Sequence, residues 1–156
     1  MKKLVLFVAL CVATIAVGYS QVPSKIDVKV QEIVKIYNNV KGVECMTVTK
    51  GSGLEMVKLM LNKQFGKDFM KGVTSVTVIN YSSAPQDTCL ALRREVESFG
   101  SLLQEFKFGD EKSLVELDYV RCYAAAGEDC VSDFLAAFEG SGMKVVFYMS
   151  GKIKVE

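Results

Sequence analysis

The thiols of Cys45, Cys89, Cys122 and Cys130 are the most reactive side chains in this 156-residue sequence, and their surroundings limit what they can do. Histidine is absent from the whole chain. Ser-His-Asp and Cys-His nucleophilic systems, zinc protease sites and histidine-ligated metal centres are therefore excluded. A thiol oxidoreductase would also lack a C-x-x-C pair and any activating histidine. In an oxidising compartment these cysteines can form disulfides. A three-residue loop of Ala125, Ala126 and Gly127, with Gly127 left-handed, would set Cys122 opposite Cys130. That is a hydrogen-bonded pair, and Cα atoms about 5.5 Å apart suit a bridge. A two-residue Gly127-Glu128 turn would oppose Ala125 to Cys130 instead. Cys89 lies in an apolar helical stripe and Cys45 alternates with Val43 and Thr47, which suits buried core thiols.

The next candidate is the run Thr49-Lys50-Gly51-Ser52-Gly53 between a strand and a helix. Its amides, with Lys50, Gly51, Ser52 and Gly53 at the positive end of the helix dipole, could accept a phosphate or carboxylate. The full phosphate-loop spacing is not met, so a plain glycine turn is the competing explanation. Glu116 and Asp118 share one strand face, and Glu128, Asp129 and Asp133 gather near a hairpin. Paired carboxylates can run glycoside hydrolysis or hold calcium, but the calcium-loop pattern is missing. Half-buried strands with a solvated acidic side account for these residues. Ser150-Gly-Lys152 approaches a Ser/Lys dyad and reads as a solvated turn. No metal, cofactor or catalytic residue is expected.

Lys2 and Lys3 precede an apolar run from Leu4 to Gly18, interrupted by Thr14. This is the anatomy of a secretory signal peptide over residues 1–20, with cleavage expected before Gln21. The run is too short for a spanning helix, which needs about 20 apolar residues. Leu10 is bulky where a lipidation site at Cys11 would want a small neighbour. The chain is thus expected to be periplasmic or extracellular. The formal charge of +1 rests on 19 basic and 18 acidic residues, so losing both lysines leaves a near-neutral mature chain. Such a chain has no electrostatic reason to bind nucleic acid or an anionic membrane, and no later segment is apolar enough to cross a membrane. Residues 21–156 fit a single domain with one core.

Hydrophobic spacing supplies the elements that would hold these groups. Ile26, Val30, Ile33, Val34, Tyr37 and Val40 predict a helix over 24–40 behind a Ser24 cap. A strand over 43–49 follows, then a helix carrying Leu54, Val57, Leu61 and Phe65, and a strand over 73–81. Pro85 opens a third helix with the stripe Cys89, Leu92, Val96, Phe99 and Leu103, weakened at Gly100 by about 1 kcal/mol. Strand-like runs over 114–124, 130–138 and 143–149 predict a terminal antiparallel meander, with Lys152 and Lys154 as a charged edge or tail. Gly42-Val43 with Thr47-Val48 recurs as Gly72-Val73 with Thr77-Val78. Two such βα units would make the first two strands parallel. The expectation is a two-layer α+β fold in the order α-β-α-β-α-β-β-β, with helices on one face of a mixed sheet.

The stretch from Tyr37 to Gly51, the strand over 73–81, the charged helix and the meander closing on Met149-Ser-Gly-Lys-Ile153 resemble the domain-of-unknown-function 4252 family. The resemblance implies a small exported protein of Gram-negative gut bacteria, and it carries no activity or site residue. The expected function is an exported, non-enzymatic domain that binds a protein or cell-envelope component. Phe134, Phe138, Phe147 and Tyr148 load the meander with aromatics and are the candidate interaction surface. Anion binding or hydrolysis at the Lys50 to Gly53 turn, and thiol redox chemistry, are the alternatives.

Overall fold

The computed structural model describes residues 24–106, 117–127 and 130–154, without the side chains of residues 64, 65 and 154. Residues 1–20, where a signal peptide is expected, and Glu116, Glu128 and Asp129 lie outside the described residues.

Helix α1 (Lys25–Tyr37) starts where the Ser24 hydroxyl accepts the Asp27 amide at 3.0 Å, and it turns Ile26, Val30, Ile33 and Tyr37 inward. This N-cap satisfies one of the helix's orphan donors and is worth about 1 kcal/mol. After α1 the chain turns at Gly42, whose φ is 81° and where a Cβ would sit 2.3 Å from the Ser83 carbonyl oxygen. Only glycine fits that crossing. Strand β1 (Glu44–Val48), helix α2 (Ser52–Phe65) and strand β2 (Gly72–Asn80) follow in the expected order.

Helix α3 (Gln86–Glu97) buries Cys89, Leu92 and Val96. It ends earlier than its apolar stripe suggests, passing into a 3-10 turn (Ser98–Ser101). The Ser98 and Ser101 hydroxyls donate to the Glu95 and Ser98 carbonyls, and Gly100 adds no helical preference. Leu103 still reaches the core, followed by a two-residue strand β3 (Gln104–Glu105) that sequence periodicity did not reveal. Strands β4 (Tyr119–Ala126), β5 (Cys130–Gly140) and β6 (Met143–Lys154) complete the meander. Lys152 and Lys154 therefore belong to a strand inside the sheet, where a charged edge or tail was expected.

The fold is α+β, around a six-stranded sheet of order β1-β2-β6-β5-β4-β3. Every neighbouring pair is antiparallel, including β1 and β2, which corrects the expected parallel pair. The helix between β1 and β2 does not force a crossover, because residues 66–71 bring the chain back into the sheet at the end that β1 left. The expectation of helices on one face is corrected as well. Val48, Val76, Val78, Val145 and Met149 pack with Leu54, Val57 and Leu61 of α2. Ile79, Val146 and Tyr148 pack on the opposite side with Ile26, Val30 and Ile33 of α1 and Leu92 and Val96 of α3. Alternating strand residues thus feed two cores, giving three layers.

Candidate functional site

Register places the cysteines first. The β4–β5 turn closes on Ala126 opposite Val131, so Cys122 faces Ala136 while Cys130 faces Lys154 of β6. Cys122 and Cys130 are then about six residues apart along the pair, roughly 20 Å. A disulfide needs Cα atoms within about 7 Å, so the expected bridge does not form, and all four thiols are free. Burial pushes the Cys45 thiol up to about 11 and the Cys122 thiol up to about 12, holding both protonated and inert. Cys89 is buried, with Lys144 Nζ donating to its sulfur at 3.2 Å. That lysine closes the spacing Ser141-Gly-Met-Lys144 in the β5–β6 hairpin.

The aromatic set divides. Phe134, Phe138 and Phe147 belong to the α2 core, Phe138 buried and the other two half-buried. Tyr148 is buried on the other face, its hydroxyl donating to Asp133 Oδ1 at 2.8 Å. The four side chains do not form one surface, because successive strand residues point to opposite faces. Lys50, Gly51, Ser52 and Gly53 make the start of α2, with Gly51 at φ 84° as a cap that offers no side-chain bond. Lys50, Gly51 and Ser52 are exposed and Gly53 is buried.

The groups that the fold brings together lie at one end of the sheet. Register shifts fall between Val73 and Ser75, between Ser132 and Phe134, and between Tyr123 and Ala125, forming a row of bulges across β2, β6, β5 and β4. Bulges bend strands and re-aim side chains. Asp133 takes φ 50° in this row and points at the start of α1, where its Oδ1 accepts from the Ser24 hydroxyl at 2.9 Å. A carboxylate at the positive end of a helix dipole is favourable, so this hairpin acid anchors α1. Asp27 beside it has its carboxyl pushed up by burial and then by Asp133.

Beyond the bulge row, a hollow of about 280 Å³ is lined by Asp68, Lys71, Gly72, Cys130 and Lys152. The segment before β2 shapes it. Met70 is wholly buried and its amide donates to Asn62 Oδ1 at 2.8 Å, which leaves Asp68 and Lys71 exposed beside it. Gly72 is required, since a Cβ there would sit 2.6 Å from the Lys152 carbonyl oxygen. Neither lysine has an ion-pair partner among the described residues. Two cations, one carboxylate and a half-buried thiol therefore share an open cavity near the lower size limit of ligand pockets. Lys71 and Asp68 gave no signal in the sequence. Lys152 read as a charged edge or tail, because Ser150-Gly151 interrupts the strand's alternation ahead of it.

The opposite end of the sheet holds a second polar group that sequence reasoning missed. Glu139 is only 3% exposed, and it accepts from Arg93 Nε at 2.8 Å, from Arg93 Nη2, and from the Tyr81 hydroxyl at 2.8 Å. Burial alone would raise its pKa, but the Arg93 and Tyr81 bonds more than offset that and leave it below the usual 4.5. The Arg93 guanidinium is held charged by Glu139 and stacks 4.8 Å from the Tyr119 ring. All of these groups are satisfied by one another, as a structural anchor for α3 requires. Among the described residues, no group of three or more Cys, Asp or Glu could hold a metal ion, and no helix is long and apolar enough to cross a membrane. No family model, curated protein or solved structure matches the chain.

Proposed function

We propose that the protein is an exported, non-enzymatic binding module of the domain-of-unknown-function 4252 type, and that it holds a phosphate- or carboxylate-bearing cell-envelope component in the hollow beyond the bulge row. One observation carries this reading: Lys71 and Lys152 flank an open cavity of about 280 Å³ without ion-pair partners among the described residues. Two ammonium groups beside a small cavity favour a small anion, and Asp68 restrains the affinity for highly charged ones. The non-enzymatic part is supported by the absence of histidine from the chain. It is also supported by the use of Glu139 and Arg93 on each other.

The test is an NMR titration of the exported chain with inorganic phosphate, alongside co-sedimentation with phosphatidylglycerol vesicles. Phosphate should shift the amide signals of Gly72, Cys130 and Lys152, and the Lys71→Ala/Lys152→Ala double variant should lose those shifts. Vesicle binding that follows the same variant would identify a lipid headgroup as the source of the anion. Equal titration of wild type and double variant would sink the proposal.

A second reading has its own observation, since Cys130 is half-buried and its thiol lines the same hollow. There Cys130 would exchange with a small anionic disulfide, forming a mixed disulfide and releasing a thiolate. Thiol titration of the exported chain with and without reductant distinguishes the two readings.

A further inference from the structure

Helix α2 needs one apolar face and has two. Leu54, Val57 and Leu61 point into the core, yet Met56 is 47% exposed and Leu59 is 72% exposed on the outer side. A helix that is apolar around most of its circumference is one whose outer face is covered as well. The charges on that face say by what. Glu55 and Lys63 are both exposed, and each lies four residues from Leu59, one on either side.

We propose that this face is the contact between two copies of the chain, with α2 packing antiparallel against α2 of a second copy about a two-fold axis at Leu59. Four helical residues span about 6 Å along the axis. In the antiparallel pair Glu55 of one copy therefore stands level with Lys63 of the other, twice over, while Leu59 packs on its own counterpart and Met56 fills the flank. A parallel pair would set Glu55 against Glu55 and Lys63 against Lys63, so the same charges oppose the other orientation. Glu55 also approaches the half-buried Lys58 at 3.5 Å, three residues along the helix, but the Glu55 side chain is itself 68% exposed and can reach a partner across the axis. Helix-to-helix contact through one exposed stripe sits at the low end of stable interface areas, so the dimer dissociates on dilution. Methionine at the contact lets the surfaces adjust to each other. The proposal does not depend on the anion site at the sheet end.

Sedimentation of the exported chain from low micromolar to millimolar concentration tests it. The mass should rise from monomer to dimer. Glu55→Lys and Lys63→Glu should each weaken association by on the order of tenfold. The double reversal should restore it, because a two-fold axis pairs the swapped charges again. In a Cys130→Ser background, Leu59→Cys should give a dimer linked through residue 59 alone under mild oxidation. Glu55, Leu59 and Lys63 are exposed, and unchanged circular dichroism would show that the fold is retained. The proposal is overturned by a chain that stays monomeric, by a dimer that survives Leu59→Lys, by a double reversal that stays broken, or by protection of Leu59 by a different protein without self-association.

Discussion

The two ends of the sheet treat charge in opposite ways. At the hairpin end, Glu139 is buried and every polar atom around it is spoken for: Arg93 takes both carboxylate oxygens and Tyr81 adds a third bond. Beyond the bulge row, Lys71 and Lys152 border a cavity without ion-pair partners among the described residues. The first arrangement tethers α3 to the sheet and leaves nothing over for a ligand. The second contributes little to the fold and leaves its charge available. Mutual engagement of charges thus marks the structural end here, and the end whose lysines have no ion-pair partner among the described residues is the better binding candidate.

The comparison can be broken first at the hairpin end. Glu139→Ala should cost about 3–5 kcal/mol in denaturant unfolding, since it strands a guanidinium and a phenol that lose their acceptor. A loss below about 1 kcal/mol would show that the anchor is dispensable. Next comes the bulge row, where Gly151 has φ 100° and a Cβ would lie 2.2 Å from the Gly72 carbonyl oxygen. Gly151→Ala should cost about 2–3 kcal/mol and disturb the hollow along with the fold. The pH dependence sharpens the contrast. Because the folded pKa of Glu139 lies below 4.5, its stabilisation is complete above that value and drains away as pH falls through the folded pKa. The stability gap between wild type and Glu139→Gln should therefore narrow in acid. In alkali the sign reverses for the buried thiols. Folded Cys45 and Cys122 titrate at about 11 and about 12 against the usual 9.0, so stability should decline as pH rises above 9.0. The smallest effect belongs to the hollow: Lys152→Ala should change stability by less than about 0.5 kcal/mol while weakening phosphate binding. A thiol reagent should modify Cys130 ahead of the other three cysteines.

The order of helices and strands was legible because it is written locally. Ser24, Gly42, Gly51 and Pro85 punctuate it, and Ile26, Val30 and Ile33 or Cys89, Leu92 and Val96 repeat at helical spacing. Pairing was not legible. Nothing in Gly42-Val43 and Gly72-Val73 says whether the intervening helix crosses over or folds back, and the apparent repeat pointed the wrong way. Bulges hid the rest, since Ser132-Asp133 and Ser150-Gly151 interrupt the period-two pattern and made β6 look finished at Met149 when it runs to Lys154. Glu139 could not be read as buried because its partner Arg93 lies 46 residues away on a helix whose packing face depends on the sheet order.

Strand order also governs when the domain can close. β2 is made early, but its neighbour on the meander side is β6, some 70 residues later, and β5 waits for the same strand. Until β6 leaves the ribosome, β2 and β5 each present an unpaired edge. The β1–β2 pair and the β3–β4–β5 group remain separate fragments without a shared core. Contacts of such long range are slow to form, so the two fragments stay apart until β6 is made and joins them.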